Sequence, residues 1–107
     1  SFLRADFTKV IFDGSNFTYT TLYEAKFDIM CSAIGTDFSH ADMRNIFNFT
    51  PVNFSRANFS NTDLSGAYLL KSDFTNAIFN RTVISKNTKI DLKNQLTAKQ
   101  RKGILLK

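Results

Sequence analysis

Few side chains in this sequence are suited to covalent or acid–base chemistry. Among its 107 residues are one histidine, His40, one cysteine, Cys31, and nine carboxylates. A cysteine nucleophile needs a base beside it, and nothing in the sequence places His40 near Cys31. A lone cysteine reads first as a small buried residue. It cannot form an internal disulfide, which favours a reducing compartment. His40 is expected at a solvent-facing corner without a role. Asp6, Asp37, Asp42, Asp63 and Asp73 each stand one position before a large apolar residue. That regularity marks them as parts of a pattern, not as an acid–base pair. There is no phosphate-binding loop, dinucleotide fingerprint or metal-ligand cluster. No catalytic residue, cofactor or metal is expected, and this segment is read as non-enzymatic.

Five Asn-x-Ser/Thr sequons, at Asn16, Asn48, Asn53, Asn58 and Asn80, invite a glycoprotein reading. Four of them arise from a recurring Asn-Phe-Ser/Thr, so glycosylation is not expected.

The element that carries these residues is set by the spacing of large side chains. In "NFSRANFSNTDLSGAYLLKSDFTNAIF" they fall at Phe54, Phe59, Leu64, Leu69, Phe74 and Phe79, one every fifth residue. On a helix, such positions lie about 140° apart and spray around the axis. On a continuous strand, an odd spacing alternates faces. Each five-residue unit must therefore contain its own change of direction. Two residues before each large one stands a small or β-branched residue: Val52, Ala57, Thr62, Ala67, Ser72 and Ala77. Within a short extended piece, that pair points inward together. The following Thr, Ser, Asn or Asp residues, such as Thr8, Ser55 and Thr75, are turn formers expected to make the corners.

Upstream the same period runs through Phe2, Phe7, Phe12, Phe17, Leu22 and Phe27. It slips by one residue within 28–35 and is expected to slip again within 44–48, placing Phe49 in the next unit. Units such as "RADFT", "EAKFD", "HADMR", "RANFS", "NTDLS" and "KSDFT" resemble the pentapeptide-repeat family over roughly residues 1–86. The resemblance implies an all-β fold, a right-handed quadrilateral parallel β-helix of about four coils with four pentapeptides in each. Four units per coil, with one residue added at each slip, predict stacked columns. One is Phe17, Phe38, Phe59, Phe79 and a second is Leu22, Met43, Leu64, Ile84. A third is Phe7, Phe27, Phe49, Leu69, and the last is Phe12, Ala33, Phe54, Phe74.

The repeat is expected to occupy 1–89 and a basic tail 90–107. Thr97 and Gln100 form a capping-box signature, so a short helix is expected from about Ala98. The tail reads either as a lid over the last coil or as a contact for a homodimer or a following domain. The net charge is +5, but residues 1–89 are nearly balanced and the excess lies in the tail. No apolar run approaches the ~20 residues of a membrane-spanning helix. The chain begins inside a repeat, which suggests a piece of a longer protein.

The resemblance implies a binding scaffold. Some relatives mimic DNA and bind gyrase through a strongly acidic surface, which this balanced body lacks. Other relatives are recognition segments of secreted bacterial effectors, some joined to ubiquitin-ligase domains. The leading expectation is a protein–protein interaction module in the cytoplasm, or in a host cytosol if secreted. The gyrase-binding, quinolone-resistance role is the alternative. Candidate partner-binding residues are Met30, Ile46 and Pro51 near the slips, and the outward aromatics Tyr19, Tyr23 and Tyr68. The partner is expected to be a protein rather than a small-molecule substrate. Direct nucleic-acid binding is not expected, because stacking platforms need exposed rings and most phenylalanines belong to the core.

Overall fold

The computed structural model describes residues 2–27, 30–48 and 50–107. Its backbone winds as a parallel β-helix, with backbone bonds running from one coil to the next about twenty positions further on. Phe2 N–H donates to the Thr21 carbonyl at 2.8 Å, Phe17 to Asp37 at 2.8 Å, and Phe38 to Asn58 at 2.8 Å. The coil-to-coil bridges are all parallel, as in Asn16–Asp37–Asn58–Ile78.

Corners follow from local backbone chemistry. The amide three residues after an inward residue turns back to its carbonyl, as Ala57 N–H does to Phe54 at 3.0 Å and Ala67 to Leu64 at 3.1 Å. The second residue after the inward one has φ between +55° and +66° at Arg4, Lys9, Tyr19, Glu24, Asn61 and Lys71, among others. A positive φ at the third turn position alone is the signature of a type II turn. Side chains brace it, but from the opposite side to that expected. In most units the residue before the large one, rather than the one after, supplies the acceptor. Asp37, Asp63 and Asn58 Oδ1 each accept from the amide two residues on at 2.9 Å. The same bond is made by Asp6, Asn16, Asp42, Asn53 and Asp73. This explains the repeating carboxylates and the sequons at Asn16, Asn53 and Asn58.

The bonds between coils define four inward columns. Phe17, Phe38, Phe59 and Phe79 stack with ring centroids 5.8, 5.5 and 5.4 Å apart. Within a coil, neighbouring rings meet edge to face, as Phe54 and Phe59 do at 5.5 Å and 70°. Leu22, Met43, Leu64 and Ile84 form the next column, all buried. Phe12, Ala33, Phe54 and Phe74 form another, and Phe54 and Phe74 stack at 5.6 Å. Phe17 is only partly buried, because it belongs to the first described coil.

The remaining column departs from the expected register. Phe27 N–H donates to the Phe47 carbonyl and Tyr68 N–H to the Ile46 carbonyl, both at 2.9 Å. These bonds put Asn48 in the column Phe7, Phe27, Asn48, Leu69. Asn48 is buried and its amide donates to the Thr50 carbonyl at 2.6 Å. The second added residue therefore lies after Asn48 rather than within 44–48; Phe49 itself is outside the described residues. Both additions, between Phe27 and Ala33 and between Asn48 and Phe54, occur at the same corner, one coil above the other.

Buried threonines lace the coils together. The hydroxyls of Thr36, Thr62 and Thr82 donate to the carbonyls of Phe12, Phe38 and Phe59 at 2.7–2.9 Å. Beyond the repeats come β1 (Thr82–Ile84), α1 (Leu92–Gln95), α2 (Ala98–Lys102) and β2 (Ile104–Leu106), with β2 parallel to β1. The tail lies over the last coil. Leu96 is buried, and Leu92 and Ile104 pack against the core. Thr97 caps α2 in a capping box with Gln100. Gln95 donates to the carbonyls of Leu69 and Ser72, and Gln100, five residues on, repeats this at Phe74 and Ala77. The two amides thus occupy carbonyls that a further coil would have used. Gly103 lies so close beneath that an added Cβ would stand 1.7 Å from the Phe79 carbonyl oxygen.

Two predictions follow from the coil. Phe59→Ala is expected to cost about 3–5 kcal/mol in urea unfolding, as core phenylalanine deletions do. Loss below 1 kcal/mol would contradict the column. The turn carboxylates make a pH prediction. The Thr75 hydroxyl and then its amide, both bonded to Asp73, hold that carboxyl below its ordinary 3.8. A depressed folded value contributes stability above the unfolded pKa, which is lost as pH falls through the folded one. Thermal melts should therefore show Asp73's contribution constant above pH 3.8 and declining below it. Asp73→Asn keeps the acceptor oxygen, as Asn53 and Asn58 do, and should remove that part of the acid sensitivity without unfolding the chain.

Candidate functional site

Alternation along each short extended piece sends the residue before the inward one outward. On three of the four faces, this outward position is a turn brace in the central coils except at Ser32, where Asp13 of the coil before accepts from the Ile34 amide instead. Asp42 and Asp63 fill it over the leucine–methionine column, Asn53 and Asp73 over the next, and Asn16, Asp37 and Asn58 over the phenylalanine stack. The remaining face breaks the rule. Its outward row reads Asp6, Lys26, Phe47, Tyr68, Lys89 in successive coils. Only Asp6, in the first described coil, braces a turn. Three consecutive coils, at Lys26, Phe47 and Tyr68, forgo a bond worth roughly 0.5–1.5 kcal/mol each and carry long or aromatic side chains instead; at Lys89 the chain enters α1, and Gln95 Oε1 accepts from the Asp91 amide. Positions where a local structural rule is broken without a structural gain are expected to be functional.

This face also adjoins the corner that holds both added residues. Met30 is 74% exposed there, and Pro51 is exposed one coil above. Extra residues in a β ladder re-aim side chains and recur next to functional sites. The row and the corner together present Phe47, Tyr68, Met30 and Pro51 on one side of the rod. A depression of about 370 Å³ lies beside Phe47, bounded by Arg4, Asp6, Glu24 and Lys26. Arg4 and Glu24 form an ion pair at 2.8 Å along its rim.

The structure brings together Met30, Pro51 and Tyr68 among the residues singled out from sequence. Ile46 does not join them. It is 1% exposed and points inward beneath Phe47, so no partner can touch it. Tyr19 is exposed on a different corner, where His40 stacks on it at 4.6 Å and 4°; His40 is thus engaged rather than idle. Tyr23 lies under the Arg44 guanidinium at 5.0 Å, and Arg44 is held by both carboxylate oxygens of Asp42 at 2.9 and 2.8 Å. That bidentate bond raises the guanidinium pKa above its ordinary value. Cys31 is buried. The described residues contain no group of three or more His, Cys, Asp or Glu able to hold a metal. None of their helices is long and apolar enough to cross a membrane. Sequence reasoning missed Phe47, Lys26 and Lys89. The available signal was that they stand where the repeat elsewhere writes Asp or Asn.

If the row serves binding rather than folding, restoring the rule should be harmless to the fold. Tyr68→Asn places an acceptor two residues before the Leu70 amide. Urea unfolding is expected to show unchanged stability or a gain of up to about 1 kcal/mol. A loss of more than about 2 kcal/mol, as expected for a core deletion, would make the row structural.

Comparison with known proteins agrees with this geometry. The model of pentapeptide repeats matches eight copies over residues 1–28 and 48–85, more than half of the chain. No curated protein matches the chain. Among solved structures, a pentapeptide-repeat protein of the Arabidopsis thaliana thylakoid lumen superposes with a TM-score of 0.74 at 26% identity. The match covers 94% of this chain and 63% of that one, so the present chain spans under two thirds of its length. A pentapeptide-repeat protein from Nostoc is 18% identical over 98% of this chain and 86% of its own, with a TM-score of 0.45. QnrB1, a plasmid-mediated fluoroquinolone resistance protein, is 21% identical over 97% of this chain and 65% of its own. Its TM-score of 0.31 carries no argument about function. With the family match, the coil-to-coil bonding and the turn at every fifth residue in agreement, the chain belongs to the pentapeptide-repeat family.

Proposed function

We propose that the chain is a non-catalytic protein–protein interaction scaffold. Its repeats wind into a rod of quadrilateral cross-section, and the face carrying Lys26, Phe47, Tyr68 and Lys89 is the docking surface. The observation that carries this reading is the loss of turn braces on that one face in three successive coils, at Lys26, Phe47 and Tyr68, in exchange for projecting side chains. The stacked core behind it supplies rigidity, which lowers the ordering cost of binding. The tail acts as a lid.

A DNA-mimicking role is disfavoured by charge placement. The carboxylates Asp37, Asp42, Asp63 and Asp73 are spread over three faces and tied into turns. Arg44 neutralises Asp42. A cationic DNA-binding path would also meet Lys26 and Lys89, and like charges across an interface cost several kcal/mol.

Site-specific photo-crosslinking tests the docking face in cells that express the protein. A benzophenone side chain at position 47 or 68 is expected to yield discrete protein adducts. The same group at position 16 or 58, over the phenylalanine stack, is expected to yield none. Equal labelling from both faces would overturn the assignment. In parallel, the purified chain should leave gyrase supercoiling unaffected even at low salt, where electrostatic competition is strongest. Salt-sensitive inhibition would restore the DNA-mimic reading.

A further inference from the structure

We infer that the docking face takes a second copy of this chain, in an antiparallel two-fold contact centred on Phe47. The inference rests on the docking reading above and names the occupant. Its ground is that the outward row is complementary to itself. The row reads Asp6, Lys26, Phe47, Tyr68, Lys89 in successive coils. Reversed about Phe47, it sets Asp6 against the partner's Lys89, Lys26 against the partner's Tyr68, and Phe47 against the partner's Phe47. A two-fold axis makes each of the unlike contacts twice. Opposite charges meet at both ends of the row, and each Lys26 lies over an aromatic ring in a cation–π arrangement. The contact requires no excess charge of either sign, because each copy supplies both.

Shape agrees with this register. The depression of about 370 Å³ lies along the first half of the row, bounded by Arg4, Asp6, Glu24, Lys26 and Phe47. The second half projects, with Tyr68 43% exposed and Lys89 exposed beyond it. Each copy thus carries a hollow and a knob. Reversal about Phe47 brings the partner's Tyr68 to the Lys26 wall of the depression. There the Arg4–Glu24 ion pair on the rim offers the polar partner that a covered tyrosine hydroxyl needs. Asp6 can meet the partner's Lys89 without leaving its turn, because both of its bonds to Thr8 fall on Oδ1.

Other two-fold registers lose these contacts. Centred between Phe47 and Tyr68, the row would set Lys26 against the partner's Lys89, and like charges across an interface are costly. Centred on Tyr68, it would leave Asp6 and Lys26 facing no residue of the row. The body measures 31 by 23 by 21 Å. One long face therefore offers roughly 600 Å² per copy, about 1,200 Å² in all, at the lower end of specific interfaces. The expected dimer is accordingly concentration-dependent.

Sedimentation equilibrium of the purified chain over about 1–300 µM is expected to show the mass rising toward twice that of one chain. Lys89→Asp and Asp6→Lys should each weaken the dimer at least roughly tenfold, since each sets like charges together at both ends. An equimolar mixture of the two variants should recover it as a heterodimer, in which every end pair is again opposite. Asp6→Lys also gives up the Thr8 brace, so the register is read independently by photo-crosslinking of the purified chain to an isotope-labelled copy. A benzophenone side chain at position 68 is expected to insert into the partner's residues 24–26, and one at position 47 into the partner's residues around 47. Insertion from position 68 into the partner's position 47 or 68 would overturn the register. A dimer that ignores Lys89→Asp, with an unchanged circular dichroism melt, would overturn the inference. So would a chain that stays monomeric throughout. If positions 47 and 68 then still label other proteins in cells, the docking face stands and self-pairing falls; if they label none, both fall.

Discussion

A corner every five residues requires one backbone position in the left-handed region, and the rest of the molecule is arranged to tolerate it. Arg4, Lys9, Tyr19, Arg56 and Arg81 all adopt positive φ, a conformation costing roughly 1–2 kcal/mol for a residue with a Cβ. The turn's own backbone bond and the bond to the next coil act together at the corners, joined on the braced faces by a bond from a preceding Asp or Asn. None of these survives alone, because a single coil exposes its core on both sides. Stacking is thus the condition under which each corner is stable. Gly66 shows how tight the stacking is. With φ of +72°, it sits where an added Cβ would come 2.0 Å from the Asn45 side-chain oxygen of the coil below.

That dependence explains the polar chemistry of the interior. Thr36, Thr62, Thr82 and Thr88, at the small inward position, carry a hydroxyl into the core, and each of these hydroxyls bonds the coil before it. A buried polar group left unpaired costs about 1–3 kcal/mol. Among the described residues, Ser65 Oγ is the buried side-chain atom without a partner. The lid obeys the same accounting. Gln95 and Gln100 reproduce the five-residue step of the coil beneath them, although they sit on helices. Arg101 in turn donates to the Leu96 carbonyl at 2.7 Å, closing the end of α1. The tail's basic composition therefore contributes in part to its own folding.

Function, on this view, occupies the positions that stacking leaves over. Inward residues and turn braces are committed to the fold. The outward row of one face is released from bracing, and there the sequence places two aromatics between two lysines. Its neighbouring corner has taken up both added residues. Coincidence of these two departures on one side of a regular rod distinguishes a candidate surface from scattered exposed residues such as Ile11 and Ile78.

The sequence by itself determined the repeat, the identity of most inward residues and the capping box of α2. These depend on local period and on side-chain chemistry within a few residues. Phe59 between Phe38 and Phe79 was legible because size recurs at a constant step. The segment "IFNFTP" was not legible in the same way. Phenylalanine at both 47 and 49 allowed two registers, and hydrophobicity favoured Phe49 inward. Only the bonds between coils chose Asn48, since pairing with the chain above and below sets which residue faces in. That choice turned Ile46 into the core and Phe47 onto the surface, and it stacked the second addition over the first. A one-residue shift reverses every side chain of an extended piece. The position of this candidate face was therefore decided by neighbours about twenty residues away, in the tertiary structure, and not by any local signal.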